Sequence, residues 1–162
     1  YGENVLISKN VKIYSAEKID IGNNVRIDDF CILSGNIKLA SNIHISAFCS
    51  LYGSYGIEMY DYSGLSPRCT VFSATDDFSG DFLIGPMVEN KFRNIIGGKV
   101  SIMKYSQIGS STVILPSVIV GEGVAVGAMS LVNKNLNAWG IYAGIPVKKI
   151  KNRNKGLLDK LK

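Results

Sequence analysis

The chain holds few residues able to do proton-transfer or group-transfer chemistry, and their surroundings narrow what each can do. A single histidine, His44, stands in Ile43-His44-Ile45-Ser46. An imidazole titrates near neutral pH, so it can serve as a general base where it meets a substrate; on a solvated position it is incidental. Asp76 and Asp77 follow Ala74-Thr75 and lead into a segment with Gly80, Gly85-Pro86 and Gly97-Gly98. Such a pair is either a carboxylate beside a reacting proton or a loop-opening turn. Cys31, Cys49 and Cys69 form no Cys-x-x-Cys pair. One histidine cannot complete a three-histidine zinc site, so no metal is expected. Tyr52, Tyr55, Tyr60 and Tyr62 crowd together; they can stack on sugar rings or pack an interface between copies.

What positions these residues is a repeat. From Ile102 an aliphatic recurs at every sixth position: Ile108, Ile114, Val120, Val126 and Val132. Four residues after each comes a small or branched side chain, from Ser106 and Thr112 to Ser130 and Leu136. The same frame fits Ile21, Ile27 and Leu33, then Leu39, Ile45 and Leu51, then Met59, Leu65 and Val71, with Ile7 and Ile13 before them. The step from Leu51 to Met59 is eight, which marks a two-residue insertion. A period of six is neither the 3.6 of a helix nor the 2 of a strand. It is the period of a hexapeptide β-helix, in which three short strands make one turn of a triangular prism. Successive turns then stack about 4.8 Å apart and each contacts only its neighbours.

The frame also places the cysteines. Each lies four residues after the second aliphatic of its set, so all three fall in one inward column, continued by Thr112 and Ser130. Buried thiols in such a column are small apolar fillers. The repeat stops after Val71 and resumes at Ile102. Long non-repeat segments in compact domains tend to be functional, and residues 76–99 are expected to leave the prism as a loop. The expected organisation is a β-helix domain over 1–137 and a C-terminal extension over 138–162, with a short basic helix from Gly156.

Composition excludes several classes. The 162 residues are 46% hydrophobic and 19% charged, as in one ordinary globular domain. No apolar run reaches the roughly 18 residues of a membrane span, and a cytoplasmic protein is expected. The net charge is +5, yet Lys148 to Lys162 holds seven Lys/Arg and one acid, so the rest of the chain is close to neutral. A basic tail is not the basic, aromatic-studded face of a nucleic-acid binder.

The stretch from Val126 to Lys134 (VGAMSLVNK), followed by Ala143-Gly144-Ile145-Pro146-Val147-Lys148-Lys149-Ile150, resembles the ending of the left-handed β-helix acyltransferases. The similarity runs toward the galactoside, maltose and nodulation-type sugar O-acetyltransferases and acetyltransferases of surface-polysaccharide clusters. The resemblance implies an all-β solenoid, a left-handed parallel β-helix of about five to six coils. It implies a homotrimer with acetyl-CoA in the cleft between neighbouring prisms, a saccharide acceptor beside it and the loop 76–99 reaching to a neighbouring subunit. By the same resemblance Ser110 and Ala128 lie where the coenzyme arm runs, and Lys134 and Lys148 match basic positions for its phosphates, with Lys149 or Arg153 beside them. Ser46, Tyr52 and Asp77 fall near the implied acceptor pocket. The family's usual catalytic histidine after the third face is absent, since that position reads Ala74-Thr75-Asp76-Asp77. His44 is then the expected base, at a prism corner, with Asp76 its charge partner across the trimer interface. The expected activity is O-acetyl transfer to a sugar hydroxyl. The alternatives are N-acetyl transfer to a nucleotide-linked amino sugar and a catalytically silent scaffold. Nucleotide-sugar relatives with an extra N-terminal domain and a late histidine motif weigh against the first alternative.

Overall fold

The computed structural model describes residues 1–160. The six-residue period does build a three-sided β-solenoid. On the first face seven parallel strands stack in order: Val5–Ile7, Val25–Ile27, Ile43–Ile45, Gly64–Leu65, Gln107–Ile108, Ala125–Val126 and Gly140–Ala143. Lys148–Asn152 then adds antiparallel to the last. The second face carries Lys12–Tyr14, Thr70–Phe72, Val113–Ile114 and Leu131–Val132. The third carries Ile19–Ile21, Val100–Ile102 and Ile119–Val120. Two longer strands, Ile32–Leu39 and Ser50–Met59, bend through the corner and serve both faces.

The aliphatic ribs are the core. Ile102, Ile114, Val120 and Val132 are fully buried, and Ile108 and Val126 nearly so. Each such side chain removed from water is worth about 1.5–3 kcal/mol. The residues four steps on are equally buried, Ser106 and Thr112 included, and their hydroxyls donate to the carbonyls of Gly121 and Gly127. The cysteine column is present as expected. Cys31, Cys49 and Cys69 are free and buried, and their thiols donate to the carbonyls of Ser46, Ser66 and Gly109 at 3.1–3.2 Å. Hydrogen bonding to its two neighbours, with burial, pushes the Cys49 thiol far above its ordinary value. A thiol so placed is inert. Among the described residues no cluster of metal ligands occurs.

Three expectations need correction. The solenoid has seven layers on its first face rather than five to six coils. After Val132 the frame shortens, with Leu136 bridging to Val120 after four residues, so the period hides the last layer, Gly140–Ala143. The C-terminal segment is a strand and then a 3₁₀ turn, Gly156–Lys160; Leu161 and Lys162 lie outside the described residues. His44 is not at a corner. It is the centre of a first-face strand whose flanks, Ile43 and Ile45, point inward, so alternation turns it outward.

The excursion leaves from the edge between the second and third faces. Ala74–Asp76 pairs antiparallel with Ile95–Gly97, with Asp76 opposite Ile95, and the ribbon carries the loop outward. The two-residue insertion after Leu51 lies at the same edge, one layer below. There Tyr55 N–H donates to Ser73 Oγ and Ser73 N–H to Tyr52 O. The Tyr55 ring comes within 2.5 Å of where a Cβ on Gly97 would stand, so only glycine lets the ribbon rest on the insertion.

Candidate active site

Two edges of the prism collect the polar residues. Along the edge between the first and second faces, backbone N–H groups of Asp28, Ser46, Ser66, Gly109 and Gly127 each donate to the layer above, at 2.7–3.0 Å. This ladder puts the five residues in one column, and Ser46 and Ser66 are half-buried in it. Among the described residues nothing bonds the Ser66 hydroxyl. His44 sits two residues before Ser46, with Gly64 as its lateral neighbour in the next layer. Its Nε2 lies 2.7 Å from Asp28 Oδ2, while Arg26 Nε donates to Asp28 Oδ1 at 2.7 Å. Desolvation acts to raise the Asp28 carboxyl, but its hydrogen bonds with His44 and Arg26 hold it below the ordinary carboxylate value. The imidazole is half-exposed and oriented by a carboxylate, the arrangement that stabilises an imidazolium.

The edge between the second and third faces carries Asp76. Arg93 Nη2 donates to Asp76 Oδ1 at 2.9 Å, and both side chains are largely buried. Among the described residues no bond reaches Asp76 Oδ2. The pair lines a cavity of about 250 Å³ together with Ser54, Tyr55, Thr75 and Ile95. Within one chain Asp76 therefore meets Arg93, and His44 meets Asp28; the two expected partners stand on different edges.

The other expected residues separate by edge. Ser110 and Ala128 stack in the first edge, where Met129 N–H donates to Ser110 O. Room there is tight, since a Cβ on Gly109 would lie 2.5 Å from Ala128 N. Lys148 pairs with Ala143 at the top of the first face, and Lys134 lies on the second-to-third edge. Both are exposed. Arg153 is spent on the fold, donating to the carbonyls of Tyr105, Gly123 and Val124. Tyr52 is outward on the second face, its ring stacked on Phe72 at 5.4 Å. Asp77 accepts from Ser79 N–H and the Asn94 amide, both at 2.8 Å, so its carboxylate closes the loop turn.

Ser66, Asp28 and Arg93 did not emerge from the sequence. Ser66 and Asp28 share the phase of Ser46, so the repeat arithmetic already contains them. Arg93 lies in the non-repeat segment, where no periodicity marks it.

No family model matches the chain. It is 40% identical over 161 residues to a dTDP-4-amino-4,6-dideoxy-D-glucose acyltransferase of Escherichia coli, covering 98% of this chain and 84% of that protein. AntD, an N-acyltransferase from Bacillus cereus solved with dTDP and 3-hydroxybutyryl-CoA, is 51% identical with a TM-score of 0.98, covering 99% of this chain and 86% of AntD. Other AntD structures replace a serine, or an aspartate ten residues further along. At 15% identity, a hexapeptide-repeat acetyltransferase from Vibrio cholerae superposes over 96% of this chain and 74% of its own with a TM-score of 0.68, a likeness of fold alone. With the period of six, the three-sided solenoid and near-complete coverage of a relative at 40% identity, the chain belongs to the hexapeptide-repeat acyltransferases.

Proposed function

We propose that the chain is an acyl-CoA-dependent N-acyltransferase that acylates the amino group of a nucleotide-linked amino sugar. The observation that carries this reading is positional. AntD variants concern a serine and an aspartate ten residues apart, and this chain has one Ser–Asp pair at that spacing, Ser66 and Asp76. Among the described residues the Ser66 hydroxyl and Asp76 Oδ2 have no bonding partner, and Asp76 lines the cavity. Full-length similarity to enzymes of dTDP-linked amino sugars favours the amine over the hydroxyl acceptor. The expected obstacle, an extra nucleotide-binding domain in such relatives, loses its force for AntD, since the match takes in 86% of AntD's own length.

The chemistry asks little of the protein. The neutral amine attacks the thioester carbonyl, the C–S bond breaks, and the nitrogen's proton ends on the departing thiol. Asp76 Oδ2 accepts the amine N–H and turns the lone pair toward the carbonyl; holding both substrates together removes the entropic cost of their encounter. The Ser66 hydroxyl is placed to donate to the acceptor or to the developing oxyanion.

Ser66 and Asp76 lie on different edges of one prism, so a site using both is completed by a second copy. A homotrimer with shared clefts meets that need, and the loop supports it by exposing Phe78, Leu83 and Met87. The coenzyme follows the Ser110–Ala128 edge toward Lys148, with Lys134 from the facing prism. The reading includes left-handed winding, the hand of the family, supported by the 0.98 superposition on AntD. It also includes a cytoplasmic setting, in which acyl-CoA is at hand and unpaired thiols persist.

A second reading has its own observation. The His44–Asp28 dyad at 2.7 Å beside the Ser66 column is built like a general base, which suits a hydroxyl acceptor that must lose a proton as it attacks. Acyl-CoA turnover on a nucleotide-linked amino sugar and on its hydroxyl counterpart separates the two. The proposal expects thiol release with the amine alone; release only with the hydroxyl compound overturns it.

A further inference from the structure

We infer that Arg93 is the positioning residue that sets the Asp76 carboxylate for the acceptor amine, an inference that rests on the amine-acylation reading above. A guanidinium carries five N–H donors. In Arg93, whose side chain is 12% exposed, one of them reaches Asp76 Oδ1 at 2.9 Å, and Nε is buried with no partner among the described residues. A group this enclosed and this sparingly bonded is costly to keep as a mere staple. The loop already has staples, since Asp77 ties Ser79 and Asn94 at the surface.

The geometry gives the pair a different role. Asp76 ends the strand Ala74–Asp76, and Arg93 stands just before the antiparallel strand Ile95–Gly97. The ion pair thus crosses the loop-side end of the ribbon, just beyond the Asp76–Ile95 pair, where Ser54 and Tyr55 line the same cavity. Holding Oδ1 fixes the plane of the carboxylate and, among the described residues, leaves Oδ2 without a partner beside the cavity that both residues line. A freely rotating carboxylate would offer the amine several orientations, and misplacement by about 1 Å can cost 10²-fold in rate. Arg93 acts through Asp76 and makes no contact of its own with the reacting nitrogen.

The test compares Arg93→Ala, Arg93→Gln and Arg93→Lys, alone and combined with Asp76→Asn, in acyl transfer from acyl-CoA to a nucleotide-linked amino sugar. Binding of dTDP and of coenzyme A is measured by calorimetry on the same full-length proteins. Arg93→Ala and Arg93→Gln are expected to lower kcat by about 10²-fold, with both affinities within about threefold of the parent. Arg93→Lys, which restores the charge without the fork, is expected to recover about tenfold. In the Asp76→Asn background Arg93→Ala is expected to cost under about threefold, because its effect runs through the carboxylate. Parental kcat in Arg93→Ala overturns the inference, as does an equal loss with and without Asp76. So does a parallel fall of both affinities in all three variants, which would make Arg93 a loop staple. A parent protein that acylates no amine overturns the underlying reading instead, and the inference with it.

Discussion

Replacing Asp76 with Asn probes the site with little change of shape. The amide oxygen still accepts from Arg93 Nη2, now 2.9 Å away, but the negative charge is gone and an amide NH2 donor replaces the acceptor Oδ2. The lost interaction is a hydrogen bond between a charged carboxylate and the reacting nitrogen, worth about 1.5–3 kcal/mol. At about 1.4 kcal/mol per tenfold, kcat should fall by roughly 10–10²-fold. Stability should fall by less than the 3–5 kcal/mol of breaking a fully buried pair. Asp76 is 21% exposed, and Asn keeps one bond to the guanidinium, so about 1 kcal/mol is the expected loss. Continuous detection of the liberated coenzyme A thiol reads kcat, and denaturant melts read stability. If Asp76→Asn and Asp76→Ala both turn over within twofold of the parent, the carboxylate does not handle the amine and the reasoning from its free oxygen is wrong.

His44→Ala should keep kcat within about threefold, because the amine acceptor needs no imidazole; a loss of 10²-fold or more, measured in the same assay, transfers the proton to the His44–Asp28 dyad. Gly109→Ala should push the first edge apart, since its Cβ would meet Ala128 N at 2.5 Å. The expected result is an unfolding free energy lowered by about 1–3 kcal/mol and weaker acyl-CoA binding by calorimetry; unchanged values for both would remove the coenzyme arm from that edge. The Asp77 carboxyl is held below its ordinary 3.8 by the Ser79 N–H and the Asn94 amide. Its contribution to loop closure is therefore fully present above that value and lost as pH falls through the lower folded one. Amide exchange at Ser79 should stay protected at pH near the ordinary carboxylate value and match an Asp77→Ala variant only in stronger acid; equal exchange at neutral pH would deny the turn its role.

The fold was legible because its rule is periodic. Ile108 or Leu51 faces inward for the same reason as every other rib, so one phase places dozens of side chains, including the cysteine column and the insertion before Met59. Legibility ended where the period did. The last layer, Gly140–Ala143, follows a shortened step and so escaped the count. His44 was misplaced by two residues of phase, because an aliphatic repeat does not say which of its neighbours lies mid-strand. Ser66 was within reach, one layer above Ser46 in the same column. Arg93 was not, since the excursion is fixed by contacts such as Tyr55 on Gly97 that leave no spacing in the sequence.

The most direct measurement is the identity of the bond formed. Incubation with acyl-CoA and a nucleotide-linked amino sugar, followed by mass spectrometry before and after neutral hydroxylamine, distinguishes amide from ester. The account predicts one added acyl group that hydroxylamine leaves in place. An adduct that hydroxylamine removes, or none at all, would contradict it.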